Sequence, residues 1–173
     1  MEAVKTPLLY FIKLLATEDH IIDVVQSELT PHVLVSTMIP GCIEKGKDIT
    51  AGGAIYHTTT PFGAGLATAT DSLAAIKKAV FEDKSVSMDE LLHALDTDFE
   101  GMEGEKIRQK HLATPKFGND DDYVDEFARF LTDTFMKEVE TYESGRGGHL
   151  VGGFFTLSST VPLGHETPAT PNG

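Results

Sequence analysis

The chain has 173 residues, 40% hydrophobic and 24% charged, the balance of one soluble globular domain rather than a disordered segment. Its formal net charge of -13 argues against nucleic acid as a partner, because an acidic surface repels phosphate backbones. A single cysteine, Cys42, rules out a disulfide framework and any multi-cysteine zinc or iron–sulfur site.

The longest apolar run, Pro7 to Ala16, is broken by Lys13 and lacks the small-residue cleavage site of a signal peptide. No apolar run has the length of a membrane span, so no membrane association and a cytoplasmic location are expected. Thr6-Pro7 offers a capping hydroxyl followed by a proline, which predicts a helix start there. Apolar residues from Leu8 to Leu15 and again from Ile21 to Val25 predict one long helix or two short ones, ending before Thr30-Pro31.

Residues 31–68 open on the short β-branched stretch Val33 to Val35, are punctuated by glycine, and read as loops with short strands, Ala54 to Thr58 among them. Helical spacing returns at Thr70, with Leu73, Ile76, Val80 and Phe81 on one face. Ser87 and Glu90 spell a capping box, followed by an apolar stripe of Leu91, Leu92, Leu95 and Phe99. A short helix is expected over 103–111. The clearest helix opens after Gly118, with aspartates where the helix dipole favours negative charge and Val124, Phe127, Leu131, Phe135 and Val139 at helical spacing. Residues 149–157 read as a strand, and 160–173 as an aperiodic Pro- and Gly-containing tail.

Several motifs fail on chemistry. Gly41 to Asp48 nearly spells a phosphate-binding loop, but Asp48 stands where a magnesium-holding Ser or Thr is needed. Counted from Asp120, a calcium loop would need Gly and Glu where Asp125 and Thr132 stand. The seven histidines form no metal-binding pair, so no metal site is expected. Cys42 with Glu44 is the pair that stands out. A cysteine in a glycine-rich loop can be a nucleophile or radical carrier, or a small buried hydrophobe, and residue chemistry leaves both open.

The wording of five ordered segments goes further. They are Cys42 through Tyr56, Gly65 through Phe81, Glu90 through Gly101, Pro115 through Asp121, and Gly164 through Gly173. Together they resemble the glycyl radical enzymes of the pyruvate formate-lyase-like group over nearly the whole chain. The last ends in Ala169-Thr170-Pro171-Asn172-Gly173, which is similar to the family's ATPDG segment with Asn for Asp.

The resemblance implies an α/β fold: a helix-rich sector of a ten-stranded β/α barrel, incomplete in this chain. Residues 1–173 form a partial pyruvate formate-lyase-like domain, an internal piece from the C-terminal half of its parent. The resemblance also implies radical cleavage of a C–C, C–O or C–N bond in a small organic substrate, in the manner of formate acetyltransferases, dehydratases and lyases. In the family a glycine radical is installed by a separate S-adenosylmethionine-dependent iron–sulfur activase and passes to a cysteine.

Two departures bear on activity. The family's RVxG-type radical loop lies beyond the ATPDG segment, where the glycyl radical domain is expected and absent from this chain. The place of Cys42-Ile43-Glu44 directly before Gly52-Gly53-Ala54 matches a family cysteine other than the thiyl one, so Cys42 reads as structural. Val151, Phe155 and Ala169 are the residues the resemblance places on the pocket wall, with plain barrel core as the alternative. The chain is then expected to bind no cofactor of its own. Its implied partners are the remainder of the enzyme or a dimer mate, the activating enzyme and a small-molecule substrate. Two other readings stand beside this one: an assembly module that completes a split barrel with another chain, and an independent helical protein with a new role.

Overall fold

The computed structural model describes residues 1–155 and 159–173, which divide into two compact units. Residues 1–63 and 133–154 make the first, residues 64–132 and 155–173 the second.

The first unit is built on one long helix, α1 (Glu2–Leu29). It starts earlier than Thr6-Pro7 suggests, because the Met1 carbonyl accepts from the amides of Val4 and Lys5 (3.0 and 3.1 Å) and closes a first turn ahead of the proline. Pro7 lies inside the helix, where it has no amide to donate to the preceding turn. The helix ends at Thr30, ahead of Pro31 as the sequence requires.

Two single-turn helices follow, α2 (Val33–Ser36) and α3 (Cys42–Lys45), then a 3-10 turn at Ile49–Ala51. The strand expected over 54–58 does not form. Lys45 Nζ donates to the Ala54 carbonyl (2.9 Å) and His57 Nδ1 lies 3.1 Å from the same oxygen, so local side chains occupy the group a neighbouring strand would need.

Strand β1 (Phe62–Gly63) pairs in parallel with β2 (Gly153–Phe154), Phe62 opposite Gly153 and Gly63 opposite Phe154. A parallel bridge between Thr59 and Leu150 extends the pairing. The strand expected over 149–157 thus shrinks to two residues, and positions 156 and 157 lie outside the described residues. The core of the unit is Ile12 and Ala16 of α1 against Phe135, Val139 and Leu150, with Phe154 tilted on Phe135 at 4.9 Å between ring centroids.

In the second unit, α4 (Leu66–Ile76) begins four residues before Thr70, behind Gly65 in a left-handed conformation (φ 77°). It continues into a π-helical turn at Lys77–Glu82. The wider turn breaks the 3.6-residue spacing and swings Phe81 out to 63% exposure, away from the partly buried Leu73, Ile76 and Val80.

Helix α5 (Met88–Asp96) carries the expected capping box: Glu90 donates its amide to Ser87 Oγ (3.2 Å), and Ser87 donates its amide to Glu90 Oε2 (2.7 Å). Leu91 and Phe99 are buried as anticipated, whereas Leu92, one residue further round the helix, is 52% exposed. Helix α6 (Gly101–Leu112) follows. Helix α7 (Asp122–Val139) buries Val124, Phe127 and Leu131 in the second unit and Phe135 and Val139 in the first. The tail is not aperiodic throughout, since Thr160–Glu166 forms α8.

Candidate functional site

Cys42 is the first residue of α3 and is 3% exposed. Its amide donates to the Ile39 carbonyl (3.3 Å), and its carbonyl accepts from Lys47 (3.0 Å). Glu44 does not turn towards the sulfur. Its Oε2 accepts from the Gly41 amide (2.9 Å), so the carboxylate caps the helix on which the cysteine sits.

Asp48 closes the same loop. It accepts from Thr50 Oγ1 (2.6 Å), from the Thr50 amide (2.9 Å) and from Ser36 Oγ (2.7 Å). These bonds, the Thr50 hydroxyl foremost, hold its carboxyl well below the usual range. Gly53 is required beside it, because a Cβ there would stand 2.0 Å from the Lys47 carbonyl oxygen.

The first unit also holds a polar cluster that sequence reading missed. Asp23 is 2% exposed on α1, among helix positions otherwise used by Ile12 and Ala16. Its Oδ2 accepts from Thr59 Oγ1 and Ser144 Oγ, both at 2.8 Å, and its Oδ1 from Arg146 Nε at 2.7 Å. Arg146 Nη2 donates on to Gln26 Oε1 (3.0 Å), and the Arg146 amide to Ser144 Oγ (3.0 Å). Gly145 lets the loop come this close, since a Cβ there would lie 2.8 Å from Asp23 Cβ. The signal available in the sequence was a carboxylate on the apolar side of a helix, which demands a charged partner once buried.

Val151 lies just ahead of β2; its amide donates to the Thr59 carbonyl (3.1 Å), and its side chain is 43% exposed. Phe155 and Ala169 belong to the second unit. Phe155 is 43% exposed, and Ala169 lines a shallow hollow with Thr68, Asp98, Phe99 and Arg108.

The turn that carries Ala169 is held from below. His111, fully buried at the end of α6, lies with Nδ1 2.6 Å from the Pro171 carbonyl oxygen, the geometry of an Nδ1–H donor. Lys116 Nζ donates to the carbonyls of Asn172 (2.9 Å) and His111 (2.8 Å). Thr170 Oγ1 donates to Asn172 Oδ1 (2.5 Å), closing the turn on itself.

Burial pushes the His111 pKa down. The Pro171 hydrogen bond opposes this, and the Lys116 and Lys110 charges add to it. Nε2 has no partner to receive it as a donor. Nothing in the sequence pairs position 111 with 171, so this clasp was not legible there. Among the described residues no group of three or more His, Cys, Asp or Glu is placed to hold a metal ion, and no helix is long and apolar enough to cross a membrane.

A model of the pyruvate formate lyase-like family matches residues 1–164. The chain belongs to this family of glycyl radical enzymes. It is 39% identical to the trans-4-hydroxy-L-proline dehydratase of Clostridioides difficile over 99% of its own length and 22% of that protein's. Among solved structures, one described for 1,2-propanediol dehydration in Roseburia inulinivorans superposes with a TM-score of 0.92 and 40% identity, covering 100% of this chain and 23% of that one. The B12-independent glycerol dehydratase of Clostridium butyricum superposes with a TM-score of 0.90 and 38% identity, over 99% of this chain and 22% of that one. The chain therefore spans about a fifth of the length of the relatives it matches.

Two measurements follow from these contacts. Asp23→Ala leaves the Arg146 guanidinium and two hydroxyls without their acceptor and is expected to cost about 2–4 kcal/mol in urea unfolding, while Asp23→Asn recovers part of the loss. For His111, the depressed pKa means that the unfolded chain takes up a proton the folded one refuses. Its contribution is complete above the ordinary histidine range and falls as pH drops below about 6.5. The difference in unfolding midpoint between pH 7.5 and 5.5 is expected to shrink in His111→Asn, which keeps an amide donor and does not titrate.

Proposed function

We propose that this chain is a helix-rich sector of a ten-stranded barrel in a glycyl radical enzyme that removes water from a small hydroxyl-bearing substrate, and that the sector is inactive alone. The observation that carries the reading is the superposition along the whole chain on proteins described for dehydration of 1,2-propanediol and glycerol, at TM-scores of 0.92 and 0.90.

In such an enzyme the glycine radical allows a cysteine of the parent to take a hydrogen atom from substrate. The residues of this chain contribute shape and exclusion of water, which a reactive intermediate needs. Val151, Phe155 and Ala169 are offered as pocket-wall positions. The partly exposed apolar side chains of the first two and the hollow beside the third support this. Cys42 is offered as a packing residue: it is buried, and the carboxylate two residues on is committed to capping. The turn at Thr170–Gly173, held by His111 and Lys116, keeps Ala169 in place.

The radical glycine is assigned to a part of the parent outside these residues. Expressed anaerobically with an S-adenosylmethionine-dependent activase, the isolated chain is expected to give no glycyl radical doublet by electron paramagnetic resonance. A full-length polypeptide containing it is expected to give one and to dehydrate a diol, glycerol or a hydroxylated amino acid. A doublet from the isolated chain would place the radical on one of its 16 glycines and sink the assignment. Cys42→Ser in the full-length polypeptide is expected to retain turnover; its complete loss, with the doublet intact, would make Cys42 the hydrogen-abstracting thiol.

A further inference from the structure

Helix α1 is apolar on two sides. One side packs Ile12 and Ala16 into the core of the first unit. The other carries Tyr10, Phe11, Leu14, Ile21, Val25 and Leu29, each between 45% and 73% exposed. An apolar stripe this long exceeds what a monomer normally leaves in water.

The spacing is regular. Phe11, Leu14, Glu18, Ile21, Val25 and Glu28 alternate steps of three and four, the 3.5-residue period of a seam between two helices. Glu18 lies mid-seam, where a buried carboxylate needs a cation opposite.

From this we infer that the outer face of α1 is a docking seam, and that its occupant is an apolar helical face of the parent polypeptide bearing a Lys or Arg against Glu18. The inference rests on the reading of the chain as a sector of a larger enzyme. Relatives are more than four times its length, since it covers 22–23% of them, and that remaining length is where the occupant lies. A second copy of this chain fits the seam less well, because its stripe holds no cation to set against Glu18.

Alkylation at single introduced cysteines tests the seam. Leu14→Cys and Ile21→Cys are made in the 173-residue chain and in a full-length polypeptide containing it, and modification is read by peptide mass. The native Cys42 is 3% exposed and serves as the slow internal reference. Both sites are expected to react fast in the isolated chain and about tenfold or more slower in the full-length protein, at any protein concentration. His20→Cys, on the polar side of α1, is the control and is expected to change less.

Equal rates in the two contexts would overturn the seam. Protection already present in the isolated chain would also overturn it, as would protection that disappears on dilution, which assigns the face to a second copy. The radical doublet separates the two claims. A full-length protein that forms the doublet yet leaves position 14 reactive loses the seam and keeps the functional reading, whereas protection without a doublet does the reverse.

Discussion

Asp23 is a carboxylate that the fold has taken out of water, and the arrangement of the first unit follows from satisfying it. An ionised group at 2% exposure is tolerable only with donors on both oxygens. Those donors come from Thr59, Ser144 and Arg146, three residues that the chain delivers from two distant segments. Their convergence fixes the loop at 144–147 against α1 and brings Leu150 under Ile12 and Ala16. It also aligns Thr59 with Leu150, so that the short parallel pairing of β1 and β2 begins in register. The apolar core gives the unit most of its cohesion, but a hydrophobic contact tolerates sliding and a two-oxygen acceptor does not.

Several chemistry-bearing side chains are committed to the chain's own architecture. Glu44 caps α3, Asp48 organises the Thr50 turn, Glu90 caps α5, and His111 and Lys116 hold the turn at the chain's far end. Apolar side chains such as Phe62, Phe81, Val151 and Phe155 are exposed beside them. In the function proposed above, such a sector presents backbone and hydrocarbon to a reaction carried out by groups elsewhere. A radical intermediate is protected by such surroundings because they offer few hydrogen atoms that are easily removed and little water.

Periodicity made the helices legible where the buried stripe was unbroken. Val124 to Val139 in α7, and the Ser87–Glu90 box with Leu91 behind it, appear as the residues dictate. Errors fell where a tertiary contact overrode a local preference. Val33 to Val35 favours extended backbone in isolation, yet Ser36 donates to Asp48 Oδ2 and accepts from the Ile49 amide, which stabilises a helical turn there. Phe81 belonged to the right stripe until the π turn displaced it. Neither the Asp23 cluster nor the His111 clasp could be read from spacing, because each joins positions more than 30 residues apart. The family was legible for a different reason: close backbone approaches such as those at Gly52 and Gly53 admit no side chain, so the wording of those segments is constrained.

The separation between Asp23 and Arg146 also has a kinetic side. These partners are 123 residues apart, and synthesis at about 5–20 residues per second puts roughly 6–25 s between their emergence from the ribosome. Throughout that interval the inner face of α1 lacks its cover and Asp23 its counter-charge. Long-range closure of this kind makes folding slow relative to chains with local contacts. The inner face of α1 is therefore completed only once the segment from Phe135 to Leu150 has been made.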